Sequence, residues 1–530
     1  MLGGMQDWPL RIMRLVDHAE REHGTREIVS RWADGTTTRT DYAGVARDSR
    51  KLARALEKLG IRRGDRVATL AMNHSRHIVS WYGTIGMGGI IHTVNPRLFA
   101  EQLVYIFNHA EDRVLFYDHA FRPLVEALRP RLETVEHYIC FDGPDGEFEP
   151  LIAGESDDYR WVEGDEREPA MLCYTSGTTG NPKGVLYEHR STVLHAMAEV
   201  AVDVFDLSRR AVALPIVPMF HAAAWGMPFS APIAGCKIVC TADYHPQTVC
   251  DLIHDEGVTH TAAVPTVWLG LMQFIEATGR DLAKLRLVTI GGSAAPRAMI
   301  EFFQSRGVEV GHAWGMTEMS PIGTTGGRPA NWEALSFEEQ IDMIAKQGRV
   351  PFGVEMKIVD DEGRELSRDG QASGRLQVRG PWVIRQYFRE EQPAVDSDGW
   401  FDTGDVAAIH PDGTMQITDR SKDVIKSGGE WISSIELENA AVGCEGVAEA
   451  AAIGIQHPKW DERPLLLVVR KPASAVTADE IRAHLEGEVA RWWLPDEILF
   501  VDDLPHTATG KLLKTELRER YRDFRFATAA

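Results

Sequence analysis

The sequence predicts an α/β protein with a large N-terminal domain, built from stacked α/β sheets and a β-barrel-like piece, and a small, mobile α+β C-terminal domain. Helix and strand patterns alternate up to about residue 310, which is typical of largely parallel sheets. The pattern becomes rich in strands after Gly348. The chain has 530 residues, too many for one compact core.

A short polar segment, Asp419–Val424, marks the predicted boundary between the two domains. The segment of about 105 residues that follows has its own helix and strand signals. We therefore expect a large domain over residues 1–418, a hinge over 419–424 and a small domain over 425–530.

Local patterns indicate individual elements of each kind. Arg66–Ala71 is typical of a buried strand. Val406–Ile409 and Thr414–Thr418 flank the turn His410–Gly413, which indicates a β-hairpin. Four apolar residues share one helical face ahead of Gly60, which can end the helix: Val45, Leu52, Leu56 and Leu59.

The composition disfavours several classes of function. The formal net charge of −21 comes from 78 acidic and 57 basic residues, so the surface repels a nucleic-acid backbone. The six cysteines form no CxxC pair and no zinc spacing, which favours reduced thiols in a cytoplasmic protein. The longest uncharged stretch, Ala211–Cys236, contains four prolines, so we expect buried strands and a pocket wall there rather than a membrane span.

A loop rich in glycine and threonine follows the apolar run Met171–Tyr174. Its glycines allow close approach to a ligand, its hydroxyls can donate hydrogen bonds, and Lys183 adds a positive charge, all of which suit a polyphosphate. The P-loop pattern G-x-x-x-x-G-K-[ST] fails because Lys183 follows a proline and precedes Gly184. Val185–Tyr187 also predicts a strand after the loop, not a helix. The candidate phosphate-binding residues are Thr175, Ser176, Gly177, Thr178, Thr179 and Lys183.

Six motifs, in order along the chain, resemble those of the adenylate-forming superfamily of acyl-CoA synthetases, adenylation domains and luciferases. The resemblance covers nearly the whole chain. Val217–Trp225, Ile425–Ser434 and His457–Pro464 further resemble the branch of medium- and long-chain fatty-acyl-CoA synthetases, which includes methylmercaptopropionate-CoA ligases. The six motifs are Thr175–Gly184, Gly291–Pro296, Trp314–Glu318, Trp400–Asp405, Asp419–Asp423 and Pro505–Lys511.

This resemblance implies an ATP-dependent acyl-CoA synthetase that uses Mg²⁺ and coenzyme A. Such an enzyme activates a carboxylic acid as acyl-AMP with release of pyrophosphate, and the CoA thiol then attacks the acyl group. Activation is needed because the charge of a carboxylate repels nucleophiles, so the protein must neutralise phosphate charge and align three substrates. Resemblance to the long-chain enzyme of a thermophile also implies a homodimer.

The resemblance assigns the nucleotide and metal contacts. Glu318 and Thr175 would hold Mg²⁺, and Thr317 would donate a hydrogen bond to the α-phosphate. Asp405 would accept hydrogen bonds from the ribose hydroxyls, and Arg420 would also contact the ribose. Gly292, Ser293 and Ala294 would line the adenine and acyl pocket with small groups, and Trp314 would stack on adenine. Ala313 and Gly315 are further cofactor-binding candidates.

Two lysines receive catalytic roles from the resemblance. Lys511 would bridge the carboxylate and the α-phosphate during adenylate formation. Lys422 would be the hinge residue whose backbone rotates to move the small domain between the poses for the two steps. Further cofactor contacts near the hinge are assigned to Lys426, Gly428, Gly429 and Trp431, where the two glycines leave room for the pantetheine arm.

The acid would bind against the apolar stretch before residue 236. The resemblance places His221, a third catalytic candidate, between the acyl pocket and the nucleotide, and Trp225 as a gate over a fatty-acyl tunnel. The chain departs from the branch at Ala222–Ala223, where many relatives carry Val-Asn, so the pocket wall at Ala222 differs. Medium- to long-chain fatty acids are the first candidate substrates, followed by short thio-acids and then aryl acids.

Three other functions are compatible with parts of the pattern. A peptide-synthetase-type adenylation domain would need an acidic pocket residue for a substrate amine, whereas the wall here is apolar. The sequence does not exclude luciferase-like oxygenation. A non-catalytic acyl- or nucleotide-binding protein would be expected to have lost Lys511 or Glu318, and both are present.

Lys511→Ala should abolish adenylate formation but leave CoA attack on a supplied acyl adenylate largely intact, because the lysine bridges its two partners only in the first step. Pyrophosphate exchange measures the first step, and thioester formation from synthetic acyl adenylate measures the second. Equal loss of both half-reactions would contradict this role.

Overall fold

The computed structural model describes residues 3–175, 181–427, 430–506 and 512–526. Over these residues the protein has the predicted α/β class, with two mainly parallel sheets, a four-stranded antiparallel sheet and a five-stranded sheet near the C-terminus.

The α-helices of the described chain, in order, are α1 (Met13–His23), α2 (Tyr42–Lys58), α3 (Ser75–Gly86), α4 (Ala100–Ala110), α5 (Arg122–Leu128), α6 (Phe148–Ala153), α7 (His189–Glu199), α8 (Met227–Ala234), α9 (Pro246–Asp255), α10 (Pro265–Thr278), α11 (Arg297–Gln304), α12 (Phe337–Ile344), α13 (Ser434–Gly443), α14 (Ala478–Glu488) and α15 (Lys514–Arg520).

The strands of the large domain are β1 (Glu27–Arg31), β2 (Thr37–Asp41), β3 (Arg66–Leu70), β4 (Ile90–Thr93), β5 (Asp112–Tyr117), β6 (His137–Cys140), β7 (Pro169–Tyr174), β8 (Gly184–Glu188), β9 (Val212–Pro215), β10 (Lys237–Thr241), β11 (His260–Ala263), β12 (Leu287–Ile290), β13 (Glu309–Gly315), β14 (Ile322–Thr325), β15 (Glu355–Val359), β16 (Ser373–Arg379), β17 (Phe401–Ile409) and β18 (Met415–Arg420). Those of the small domain are β19 (Ile425–Ser427), β20 (Glu430–Ile432), β21 (Val447–His457), β22 (Asp461–Arg470) and β23 (Glu497–Phe500).

Both large sheets are parallel except at their edges. The eight-stranded sheet has the order β14-β13-β12-β11-β9-β10-β1-β2, and its antiparallel pairs are β13–β14 and β1–β2. The six-stranded sheet has the order β6-β5-β3-β4-β7-β8, and its antiparallel pair is β7–β8. Interior strands such as β4 are buried along their whole length, as expected where helices cover both faces of a sheet.

One core of buried apolar side chains joins the two large sheets. It includes residues of α1, α2, α3, α7 and α8, together with Ile28 of β1 and Val67 of β3. These helices therefore form a layer between the sheets, which is the stacked arrangement expected from the sequence.

Helix α2 confirms the helix predicted ahead of Gly60. The Asp41 carboxylate accepts a hydrogen bond of 2.8 Å from the Gly44 N–H and so caps the first turn. Gly60 has φ of 83°, a left-handed conformation that favours glycine and ends the helix. The predicted apolar face is buried at Val45, Leu52 and Leu56.

Three sequence motifs lie where parallel strands of the eight-stranded sheet end. Strands β9, β11, β12 and β13 are parallel neighbours, so their carboxyl ends meet at one edge. The segment 216–226 follows β9, the motif Gly291–Pro296 follows β12, and Trp314–Glu318 completes β13 and follows it. The fold thus brings together motifs that are about 100 residues apart in sequence.

The uncharged stretch Ala211–Cys236 contains the expected buried strand, β9, and also helix α8, which the sequence pattern did not predict. Pro228 lies in the first turn of α8, where the missing N–H of proline has no helical partner to lose. No helix of the described chain is long and apolar enough to cross a membrane.

The predicted β-rich piece is the antiparallel sheet β15-β16-β17-β18. The predicted hairpin is confirmed, because β17 and β18 pair with Ile409 opposite Met415. The small domain has its own buried core, formed by the five-stranded sheet with α13 and α14 and including Ile432, Leu466 and Ile481.

A buried ionic cluster ties the end of β18 to the small domain. The Lys514 ammonium lies 2.7 Å from a Glu438 oxygen and donates a hydrogen bond of 2.6 Å to Ser434 Oγ. Ser434 in turn donates from Oγ to the Asp419 carboxylate at 3.0 Å. Burial raises the pKa of Glu438 to about 7, and the nearby Lys514 charge opposes that rise. The Lys514 ammonium therefore supplies positive charge to two buried carboxyl groups, those of Glu438 and Asp419.

Lys514→Met should destabilise the small domain by about 3–5 kcal/mol, because it leaves Glu438 and Asp419 buried without their cation. Thermal unfolding measures the effect. Arg522→Met is the matched control: the Arg522 side chain is 68% exposed in its ion pair with Glu519, and we expect its loss to cost less than about 1 kcal/mol. Equal destabilisation by both variants would contradict the role given to the buried cluster.

Candidate active site

The ends of the predicted phosphate loop are held together by two hydrogen bonds. The Thr175 N–H donates to the Lys183 carbonyl at 2.9 Å, and the Lys183 N–H donates to Thr175 Oγ1 at 3.1 Å. The loop connects the antiparallel strands β7 and β8, which confirms the strand–loop–strand prediction. Four of its predicted phosphate ligands lie outside the described residues: Ser176, Gly177, Thr178 and Thr179.

Glu318 is a buried carboxylate beside this loop, with 7% of its surface exposed. Tyr387 donates a hydrogen bond of 2.8 Å from its hydroxyl to Glu318 Oε1. The Lys183 ammonium lies over the ring of the same tyrosine, 4.7 Å from its centroid. Burial raises the pKa of Glu318, while the Tyr387 hydrogen bond and the charges of Arg420 and Lys183 oppose the rise. Tyr387 thus links the phosphate loop to the predicted metal ligand.

The turn Thr317–Met319 is held in place by contacts to its backbone. Tyr187 donates a hydrogen bond of 2.7 Å to the Thr317 carbonyl. The Ile384 N–H donates to the Glu318 carbonyl, also at 2.7 Å. These two hydrogen bonds, one from β8 and one from Ile384, fix the backbone of Thr317 and Glu318. Their side chains therefore start from a fixed position.

Asp405 connects Trp314, a residue of the predicted adenine site, to the antiparallel sheet. Trp314 donates a hydrogen bond of 2.9 Å from its indole N–H to Asp405 Oδ2, and Arg420 Nε lies 2.8 Å from Oδ1. Asp405 and Arg420 are directly opposite each other in β17 and β18, whereas Trp314 comes from β13 of another sheet. Each carboxylate oxygen has a second lone pair, so both can still accept a hydrogen bond from a hydroxyl group.

The motif Gly291–Pro296 follows β12 and presents its backbone and small side chains at the carboxyl edge of the eight-stranded sheet. Gly292 has φ of 86°, a left-handed conformation, and it and Ser293 are exposed, while Ala294 is half-buried. Ala313 lies on β13 opposite Thr325, with Gly315 two residues further along the strand. These positions agree with the predicted lining of a nucleotide site by small groups.

Asn73 holds the segment that leads to His221. Its side-chain amide donates hydrogen bonds of 2.9 Å to the carbonyls of Pro215 and Val217, and its oxygen accepts one of 2.6 Å from the Met219 N–H. His221 borders a cavity that it shares with Tyr174 and Thr175 at the start of the phosphate loop, and with Asn95, Leu98 and Phe220. The predicted acid and phosphate sites therefore meet at this cavity.

A left-handed turn follows His221. The φ angles of Ala222, Ala223, Ala224 and Trp225 are 43°, 56°, 51° and 52°, and Gly226 follows with 81°. An L residue in this conformation costs about 1–2 kcal/mol, so a run of four must be held by its surroundings. All four side chains are buried.

The indole of Trp225 packs on the glycine that begins the motif after β12. A Cβ atom added to Gly291 would lie 2.9 Å from Trp225 Cη2, closer than real contacts allow. The turn therefore places Trp225, the predicted acid gate, in direct contact with the predicted nucleotide motif. Ala222 and its two following alanines give this wall small apolar side chains.

The hinge residues are partly described. Lys422 and Lys426 are both exposed. The backbone of Trp431 lies in β20 directly opposite Lys426 of β19. Lys511, Gly428 and Gly429 lie outside the described residues. The two ends of the Lys511 loop are close together, because the Leu513 N–H donates to the Pro505 carbonyl at 2.8 Å and His506 bridges to Leu512.

The donor set fits a magnesium ion bound mainly through substrate. Glu318 supplies one buried carboxylate and Thr175 one hydroxyl, and Mg²⁺ is commonly held by one or two carboxylates together with phosphate oxygens. Among the residues that the structure describes, no group of three His, Cys, Asp or Glu side chains could form a metal site made by protein alone.

Sequence reasoning missed three residues that build this site. Tyr387 bonds to a residue 69 positions away, Tyr187 to one 130 positions away, and Asn73 reaches segments 142 to 146 positions away. A pattern read locally along one chain carries no signal for such contacts. Their roles depend on how the sheets and loops pack.

Trp314→Phe should raise the KM for ATP about fivefold to tenfold and leave the KM for the acid within about twofold, because it keeps an aromatic ring but removes the donor to Asp405. Steady-state release of AMP at varied ATP and varied acid measures both constants. The matched control is Trp8→Phe, at a position 55% exposed, which should change neither. An unchanged KM for ATP in Trp314→Phe would show that the indole N–H does not support nucleotide binding.

Comparisons with known proteins agree with this geometry. The profile of the family described as AMP-binding enzyme matches residues 15–388, and that of the AMP-binding enzyme C-terminal domain matches 436–511. The chain is 49% identical over 536 aligned positions to the 3-methylmercaptopropionyl-CoA ligase of Ruegeria pomeroyi, covering 99% of each chain. It is 47% identical over 535 positions to the medium-chain-fatty-acid–CoA ligase of Ectopseudomonas oleovorans, covering 99% of this chain and 98% of the relative.

A solved structure shares the whole fold. The anthranilate CoA ligase AuaEII, crystallised with anthranoyl-AMP, superposes with a TM-score of 0.86 at 25% identity and covers 97% of this chain and 99% of its own. The sequence profiles, the full-length relatives and the common fold all point in the same direction. The chain therefore belongs to the AMP-binding enzyme family of adenylate-forming ligases, and the full-length relatives compared here are acyl-CoA ligases.

Proposed function

We propose that the protein is an ATP-dependent acyl-CoA synthetase whose acid is unbranched, apolar and of medium to long chain. The acid and ATP first give acyl-AMP and pyrophosphate, and the CoA thiol then displaces AMP to give acyl-CoA. The observation that carries the proposed acid is the left-handed turn Ala222–Trp225, whose buried side chains are three methyl groups and an indole. Such a wall suits an apolar tail and offers no partner to a charged one.

The described residues support defined roles in the first step. Lys183 would neutralise the departing pyrophosphate, and the hydrogen bonds between the ends of the phosphate loop support this role. Glu318 and Thr175 would hold Mg²⁺, which supplies positive charge to the phosphates when bound. Thr317 would bond to the α-phosphate and Asp405 to the ribose. His221 would lie between the acid and the phosphates, and the cavity that it shares with Thr175 supports this role.

The second step is proposed to use the hinge. Residues 1–418 and 425–530 would move as two domains about 419–424, with Lys422 at the pivot. The separate family profiles over 15–388 and 436–511, and the separate core of the small domain, support this division. Rotation would withdraw Lys511 and bring Gly428, Gly429, Lys426 and Trp431 toward the acyl adenylate. A homodimer and a cytoplasmic location also remain predictions.

A short thio-acid is the second candidate substrate. It is favoured by the 49% identity to a 3-methylmercaptopropionyl-CoA ligase, slightly above the identity to the medium-chain ligase. The two candidates share an unbranched apolar tail and differ in length. Chain length is therefore the property that the experiment must resolve.

AMP release that depends on CoA should be measured across saturated acids of two to eighteen carbons, 3-methylmercaptopropionate and anthranilate. We expect kcat/KM to peak in the medium- to long-chain range and to be low for the aromatic acid. A peak at 3-methylmercaptopropionate would favour the second candidate. Negligible AMP release with every acid would contradict the synthetase function.

A further inference from the structure

Glu199 is a buried acidic residue that takes no part in the proposed reaction. It is the last residue of α7, and 1% of its surface is exposed. Neither carboxyl oxygen has a hydrogen-bond partner at standard distance within the described residues. Its ionisable neighbour is His195, whose Nδ1 lies 3.5 Å from Glu199 Oε1. An acid in this position is costly for stability, so a specific contact is expected to explain it.

The His195 ring does not supply a compensating positive charge. Its Nε2 accepts a hydrogen bond of 3.1 Å from the Ile322 N–H, so in the neutral ring the proton is on Nδ1, facing Glu199. Burial lowers the pKa of His195 to about 3 and raises the pKa of Glu199 well above its ordinary value. Burial therefore disfavours the charged form of both side chains.

The Glu199 carboxyl group lies against the backbone at the end of the left-handed turn. A Cβ atom added to Gly226 would lie 2.5 Å from Glu199 Oε1 and 2.6 Å from Oε2. The carboxyl group thus occupies the space where any other residue would carry its side chain. Ser230 of α8 also contacts this glycine, because its Oγ donates a hydrogen bond of 3.4 Å to the Gly226 carbonyl.

We propose that Glu199 is a positioning residue for the acid site, because its buried carboxyl group braces Gly226 and so holds the strained turn that carries Ala222 and Trp225. The turn has no conformational preference of its own for this shape, since four of its residues are not glycine. Two contacts hold the C-terminal end of the turn: Trp225 packs on Gly291, and Glu199 lies against Gly226. This inference rests on the proposed function of the turn as the acid wall.

Loss of the brace should affect the acid and spare the nucleotide. Glu199 contacts the turn from the side of α7, whereas Trp314, Asp405 and Glu318 are held by other strands. Relaxation of the turn would move Trp225 relative to the acyl tail, and small displacements at a binding wall reduce catalysis strongly. The expected signature is a higher KM for the acid and a flatter dependence on chain length.

The test compares Glu199→Gln with Glu199→Ala and Glu199→Met in the full chain. The glutamine keeps the shape of the carboxyl group, so its acid KM and chain-length profile should stay within about twofold of the unmodified protein. Alanine removes the brace, and methionine fills its volume without polar atoms, which keeps the test valid if the alanine variant does not fold. Both should raise the acid KM at least about tenfold, with the KM for ATP within about twofold.

Saturated acids of four to twelve carbons are the probes, and CoA-dependent AMP release is the readout. Met197→Ala is the matched control, since Met197 is on the same helix but 53% exposed and should change nothing. An unchanged acid KM and chain-length profile in Glu199→Met would overturn the proposal. So would a loss in Glu199→Gln equal to that in Glu199→Met. If the unmodified protein activates no acid, the proposed function itself fails, and the two failures are thereby distinguished.

Discussion

The burial of the Glu318 carboxylate constrains the whole nucleotide site. An ionised carboxyl group at 7% exposure is costly unless donors and cations surround it. Here the donor is Tyr387, and the charges of Lys183 and Arg420 act on the same group. These residues come from the phosphate loop, the segment after β16 and the end of β18, so the carboxylate can be stable only when all three segments are in place.

The same contacts couple the parts of the site to one another. Lys183 lies over the ring of Tyr387, and Arg420 pairs with Asp405, which accepts a hydrogen bond from Trp314. The contacts of the phosphate loop and those of the predicted adenine site thus form two sets, and the charge of Arg420 acts on Glu318 between them. Because Arg420 is the last residue of β18 and also lies within the proposed hinge 419–424, changes in the hinge can reach the predicted ribose contact through one side chain.

The acid wall depends on packing rather than on local preference. A left-handed turn of three alanines and a tryptophan is disfavoured at each residue, by about 1–2 kcal/mol. Its position between Gly291 and Glu199 explains how it persists, since both neighbours fit it closely. No sequence pattern marks such a turn, because alanine and tryptophan are not residues that prefer positive φ. The sequence interpretation of buried strands accordingly missed both the turn and helix α8.

What the sequence determined by itself is the class of fold, the strand–loop–strand form of the phosphate site and the order of the motifs. These depend on local periodicity, on glycine and proline positions and on short spacings, which act within a few residues. The tertiary structure alone decided that Tyr387 bonds to Glu318, that Trp314 bonds to Asp405, and that Glu199 lies against Gly226. Each of these contacts joins segments 27 to 91 residues apart, and only the packing of sheets and helices brings such segments together.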